Sequence, residues 1–183
     1  AFDKINIEKV KKNILPLSDT QGHFAPYIGG GGCYDYDAIN LLTTKNFKES
    51  NEIQINDLFT ILNKSYEAII LNQNADGGFC ESQYVRPIKF RYFYLFSKKL
   101  LKRNHVDRIS IFRQFLTLLR PKYNNIHTHW NNYNRKWNES NLWDSWFRVQ
   151  SLARIEIFKD PKKIKEWGFI DFPGIGFHEH FKD

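Results

Sequence analysis

An all-α fold of antiparallel helix pairs is what this sequence predicts, and three observations carry the prediction. Ile55, Leu58, Phe59, Leu62, Tyr66, Ile69 and Ile70 recur at spacings of three, four and seven, which lays one continuous apolar face along a helix. Two further apolar segments of helical period, 88–103 and 106–119, meet at Asn104-His105, a connection short enough to set them antiparallel. Nothing alternates convincingly between apolar and polar with period two, so strands are expected to be rare.

In chain order, Asp3 to Ile14 reads as a short helix with Ile5, Ile7, Val10 and Ile14 toward one side, closed by Pro16. The stretch from Leu15 to Asp35 is irregular and carries Pro26 and the run Gly29-Gly30-Gly31-Gly32. A helix is expected from about Asp35 to Thr44. The strongest helix follows, from Ile55 to Asn72, with Asn56 and Asp57 suited to its first turn and Asn74 through Gly78 stopping it. Within 88–103, Phe90, Phe93, Tyr94, Ser97, Leu100 and Leu101 share a face, with Arg91, Lys98 and Lys102 opposite. Within 106–119, Ile111, Phe112, Phe115, Leu116 and Leu119 do the same, and Pro121 ends the pair. Residues 122–141 are polar and Asn-rich, yet Trp130, Tyr133 and Trp137 mark an ordered loop. A last helix covers about 142–158, and the tail from Trp167 to Phe181, rich in Gly and aromatics, is not helical.

Composition bounds the partners. The chain has 183 residues, of which 42% are hydrophobic and 26% charged, the balance of a soluble globular domain with a substantial core. No apolar run approaches the roughly 20 residues of a membrane span. The chain starts at Ala1 and contains no Met, so the expectation is an excised piece of a larger protein. Two cysteines, Cys33 and Cys80, are too few for a disulfide scaffold, and a cytoplasmic location is expected. Net charge is +7, but residues 86–122 hold 11 Lys and Arg against the single acid Asp107. A segment at +10 suits an anionic partner, although solvated helix faces explain it adequately without one. No nucleic-acid module is present, so nucleic acid is not an expected partner.

One motif is specific. Leu71 and Gln73-Asn74-Ala75-Asp76-Gly77-Gly78-Phe79 end the strongest helix. Glycines permit the left-handed turn that stops a helix, Gln and Asp satisfy free backbone groups, and the aromatic folds back onto the next helix. The segment resembles the repeat of the prenyltransferase β-subunit and squalene-cyclase proteins, and it covers only a small part of the chain. Trp167-Gly168-Phe169 and Pro173-Gly174-Ile175-Gly176-Phe177 are weak echoes. The resemblance implies a partial α/α toroid. A closed ring of six helix pairs takes about 250 to 300 residues, so one domain spanning residues 1–183 supplies about half, as a fragment of a larger toroid protein. It also implies two chemistries to test. The cyclase Asp-rich motif is matched by Asp35-Tyr36-Asp37-Ala38 without its final acidic pair. The prenyltransferase zinc set would draw on Cys33, Asp35 and His127 or His129, with Asp and Cys in reversed order.

Among candidate sites, the glycine run followed by Cys33-Tyr34-Asp35-Tyr36-Asp37 stands first. A backbone free of side chains can approach a ligand closely; equally, the run is a loop with Asp35 capping the next helix. It lacks the Lys-Ser/Thr ending of a phosphate-binding P-loop. Asp144 and Arg148 lie four apart beside Trp143, Trp146 and Phe147, as an exposed helix ion pair or as a polar spot in an aromatic pocket. The pairs His127/His129 and His178/His180 carry a spacing found in some zinc sites, and no metal or other cofactor is expected. Asp35 and Asp37 are thus the candidate catalytic groups, with His23, Tyr36, Trp143, Asp144 and Arg148 as substrate contacts. The expected function is binding or processing of a lipid-linked, isoprenoid or carbohydrate ligand in an aromatic-lined cavity, by transferase, cyclase or glycan-processing chemistry if catalytic. The alternative is a noncatalytic helical scaffold that binds a protein partner or an anionic glycan through its basic face.

Overall fold

The computed structural model describes residues 9, 13–43, 52–84, 90–102, 105–119 and 138–167. Among them the regular structure is helical, and no strand forms; the one β-bridge joins Gln73 to Phe79. We number the helices α1 (Gly32–Leu42), α2 (Glu52–Ile70), α3 (Phe90–Lys102), α4 (His105–Leu119), α5 (Leu142–Lys159) and the single turn α6 (Ile164–Trp167), with 3₁₀ turns at Leu15–Leu17 and Pro161–Lys163. The all-α class holds. The expected helix at 3–14 lies outside the described residues except for positions 9, 13 and 14, as do Trp130, Tyr133, Trp137, His127, His129, His178, His180 and the tail beyond Trp167.

Helix α5 organises one half of the fold. Asn141 caps it by accepting the Asp144 N–H at 2.8 Å, the N-terminal satisfaction that a short polar side chain provides. Both α1 and α2 pack on it. Ile39 and Leu42 of α1, Leu58, Leu62 and Ile69 of α2, and Leu152, Ile155 and Phe158 of α5 form the main core together with Phe24 and Phe79. The periodic face of α2 is thus buried at Leu58, Leu62 and Ile69 and partly at Phe59 and Tyr66, whereas Ile70 at its end is exposed.

The helix-ending turn works as its residue types dictate. Gly77 sits at φ +83°, where an L side chain is strained. Gln73 Nε2 donates to Gly77 O at 2.9 Å, and the Gly78 N–H donates to Asp76 Oδ1 at 2.9 Å. The turn is then pinned to the start of α5. Ser140 Oγ donates to Asp76 Oδ1 at 2.7 Å, Asn74 Nδ2 to Ser140 Oγ at 2.8 Å, and the Phe79 N–H to Ser145 Oγ at 2.9 Å.

Helix α3 corrects the reading of its own sequence. Its buried face is Tyr92, Leu95, Phe96 and Lys99, which meets Ile28 and Ile111. Phe90, Phe93, Tyr94 and Leu101, expected to point inward, face out. On α4, likewise, Ile111 is buried while Phe112 and Leu116 are exposed. The reason is aromatic packing. Tyr92 stacks on Phe96 and Phe115 with centroids 6.1 and 5.8 Å apart, and Phe96 lies 4.5 Å from Phe115, so the ring cluster selects the Tyr92/Phe96 face. A helix apolar on both sides leaves the choice to its neighbours.

Candidate functional site

Helix α1 begins three residues earlier than expected, and this sets the site. Gly31 occupies its N-cap without a capping side chain, so Asp35 does not cap the helix; it lies within the first turn. From there the Asp35 carboxylate reaches back across the preceding loop. His23 Nδ1 stands 2.7 Å from Asp35 Oδ2, and the Phe24 N–H donates to Oδ1 at 2.8 Å. Nδ1 facing a carboxylate is the protonated ring nitrogen. Asn72 Nδ2, on the other side of the ring, is 3.5 Å from Nε2.

Arg148 completes the cluster from α5. Its Nη1 is 3.6 Å from Asp35 Oδ2. The rest of the guanidinium serves the backbone: Nε donates to Cys80 O at 3.0 Å, and Nη2 to Gly30 O at 3.0 Å and Glu81 O at 2.8 Å. Asn72 Nδ2 donates to Gly29 O at 3.0 Å and Ala68 O at 3.2 Å. Arg148 thus ties α5 to the glycine loop and to the segment after the Gln73–Phe79 turn, and Asn72 ties that loop to the end of α2. His23, Asp35 and Arg148 are 1%, 1% and 0% exposed.

Burial by itself pushes the Asp35 carboxyl up. The neighbouring His23, by charge and hydrogen bond, then the Arg148 charge and the Phe24 N–H, more than reverse this and hold it below the usual carboxylate range. The glycine run follows from the same crowding. A Cβ on Gly30, at φ +68°, would run into Asp35 Oδ2 and His23 Nδ1; one on Gly29 would run into Ser82 Oγ, and one on Gly31 into the Tyr27 hydroxyl. The close approach these glycines allow is to the chain's own side chains.

Of the residues singled out from sequence, the fold brings His23, Asp35 and Arg148 into direct contact across more than a hundred positions. Tyr36 and Trp143 both contact the ring of Phe147, at 5.3 and 4.9 Å. Asp144 is fully buried, so it is not half of an exposed ion pair; its Oδ2 accepts from Asn141 Nδ2 at 2.5 Å. Asp37 stands apart, on the exposed side of α1. Three residues were missed: Asn72, buried Arg154, whose guanidinium lies 5.8 Å from the Tyr36 ring, and Lys99. Lys99, 2% exposed, donates to Ala25 O and, at 3.4 Å, to Tyr27 O. It lies three and four residues after Phe96 and Leu95, on the side of α3 that the sequence did not single out.

The cluster has the orienting half of a general-base arrangement, a carboxylate on Nδ1. The other half is filled from within, because Nε2 faces Asn72 where a nucleophile or substrate would stand. Cys33 offers no ready thiolate either, since burial pushes its thiol up. Among the described residues, no group of three or more His, Cys, Asp or Glu is placed to hold a metal ion. Among them, too, no helix is long and apolar enough to cross a membrane.

A different surface is open. On the outer side of the α3–α4 hairpin, Leu100, Leu101, Arg108, Ile109, Phe112 and Arg113 line a groove of about 450 Å³. Arg108 is fixed there, with Nε donating to Leu100 O at 2.8 Å and Nη2 to Leu101 O at 3.3 Å, so that it satisfies the last carbonyls of α3. Comparison with protein-family models, curated proteins and solved structures gives no match.

Proposed function

We propose that this chain is a noncatalytic helical scaffold that engages an anionic partner through the basic, apolar face of α3 and α4. One contrast carries the reading. The acid, histidine and arginine that resemble catalytic machinery are closed inside and bonded to one another and to backbone, whereas cationic and large apolar side chains stand outward together on the hairpin. Arg91 and Lys98 are exposed on α3, Lys98 Nζ resting 4.5 Å from the Tyr94 ring. A buried ionic cluster of this kind specifies how loops and helices join. An exposed apolar patch with charged neighbours is the usual mark of an interaction surface.

A second reading keeps the support of the Gln73–Phe79 turn and of the His23–Asp35–Arg148 convergence. It is a partial α/α toroid acting on a lipid-linked, isoprenoid or carbohydrate ligand, and it requires an opening onto Asp35. The two separate experimentally. Charge reversal at Arg91 and Lys98 should weaken binding of a heparin oligosaccharide, used as a polyanion probe, by about tenfold or more, and added salt should weaken it further, with the melting temperature unchanged. Undiminished binding in that variant, with loss in a folded Asp35→Asn protein, would move the function into the cluster.

A further inference from the structure

We infer that the α3–α4 groove receives an acidic amphipathic helix from a partner protein. This rests on the scaffold reading and names its partner. Along α4, exposed Ile109, Phe112 and Leu116 follow one another at spacings of three and four, an apolar ridge of the kind that packs against a second helix. Leu100 and Leu101 at the end of α3 join Ile109 and Phe112 along a shallow apolar floor, and the groove of about 450 Å³ beside that ridge accommodates side chains from a partner. Arg108 and Arg113 complete the lining.

Charge selects the occupant. Residues 86–122 stand at +10 in a chain of +7, which leaves the remainder at −3. Within that segment the hairpin itself, residues 90–119, holds seven Lys and Arg against Asp107, so a second copy would set one basic hairpin against another or against a thinly acidic remainder. A helix is the occupant because its side chains, spaced three and four residues apart, mesh with those of Ile109, Phe112 and Leu116. A helix with Leu or Phe on one face and Glu or Asp along its flanks satisfies both the floor and the surrounding field.

The test uses the full chain and a synthetic helical peptide of 18 residues or so, with Leu at i, i+3, i+4 and i+7 and Glu elsewhere, followed by fluorescence anisotropy. Its controls are a scrambled peptide of equal composition, a Lys-for-Glu peptide, phosphatidylserine vesicles and sedimentation of the protein alone. The patterned peptide should bind about tenfold or more tighter than the scrambled one. Phe112→Glu should remove that advantage, with Ile109→Ser, also at an exposed position, as the milder variant; circular dichroism confirms that each folds. Equal binding of both peptides overturns the inference. So does vesicle binding lost in Phe112→Glu while the patterned peptide is ignored, or self-association that Phe112→Glu abolishes. Failure of the peptide with heparin binding intact sinks the acidic helix alone; loss of both sinks the scaffold reading beneath it.

Discussion

Asp35 is a charge whose cost of burial is met by neighbours from two stretches of chain, His23–Phe24 and α5, and this gives it a defined acid response. Its carboxyl is held below the ordinary value near pH 4, so it contributes stability above that pH and loses it as pH falls through its own lower value. Asp35→Asn should cost about 3 kcal/mol at neutral pH, the usual result of removing one partner from a buried ionic cluster. The deficit should shrink as pH falls below about 4. Urea unfolding of both proteins from neutral pH downward reads it directly, and a deficit that grows in acid would contradict the cluster. The glycines make a paired test. Gly77 has a positive φ and open space where a Cβ would go, so Gly77→Ala should cost about 1 kcal/mol from backbone strain. Gly30→Ala adds collision with Asp35 and His23 to the same strain and should cost clearly more. Equal midpoints for the two variants would mean the loop gives way easily.

At the scale of elements, α3 separates what periodicity tells from what it cannot. Phe90→Ser should shift stability by no more than about 0.5 kcal/mol, because its ring faces outward; Phe93→Ser should cost more, because its ring meets Tyr92 and Phe115 edge-on; and Phe96→Ala should cost about 3 to 5 kcal/mol. Thermal melts of the three variants check which face is buried. Helix positions and ends were legible: α2, α3, α4 and α5 lie within a few residues of where spacing and stop signals put them. The buried face of α3 was not legible, because a helix with aromatics all round has two apolar faces and only the Phe115 and Ile111 side of α4 decides between them. The site was legible in part. Glycines beside acids, and an arginine among tryptophans, pointed at Asp35 and Arg148. That both are sealed inside follows from α1 starting at Gly32, a one-turn difference no capping residue announces. Asn72 and Lys99 carried too little pattern of their own, one being a polar residue at a helix end and the other one lysine among many.

At the scale of the whole molecule, α5 contacts both other helices of the main core and holds the ties of Arg148, so its amides should exchange most slowly. Those of the outer α3 and α4 should exchange faster. Hydrogen exchange resolved by residue measures this, and protection highest in α4 would reverse the hierarchy. The guanidinium of Arg148 also imposes an order in time. It binds the carbonyl of Gly30 across 118 positions and stands against Asp35. During synthesis at about 5 to 20 residues per second, the anion waits roughly 6 to 23 s for its cation to be made. Until then the Gly29 and Gly30 carbonyls lack their bonds from Arg148, and Asp35 lacks its arginine. A ribosome-bound chain halted before α5 should therefore be cut by protease within the His23–Asp35 loop, and one carrying α5 clear of the ribosome should resist. Of the buried ionic cluster, the cation is the last member to be made.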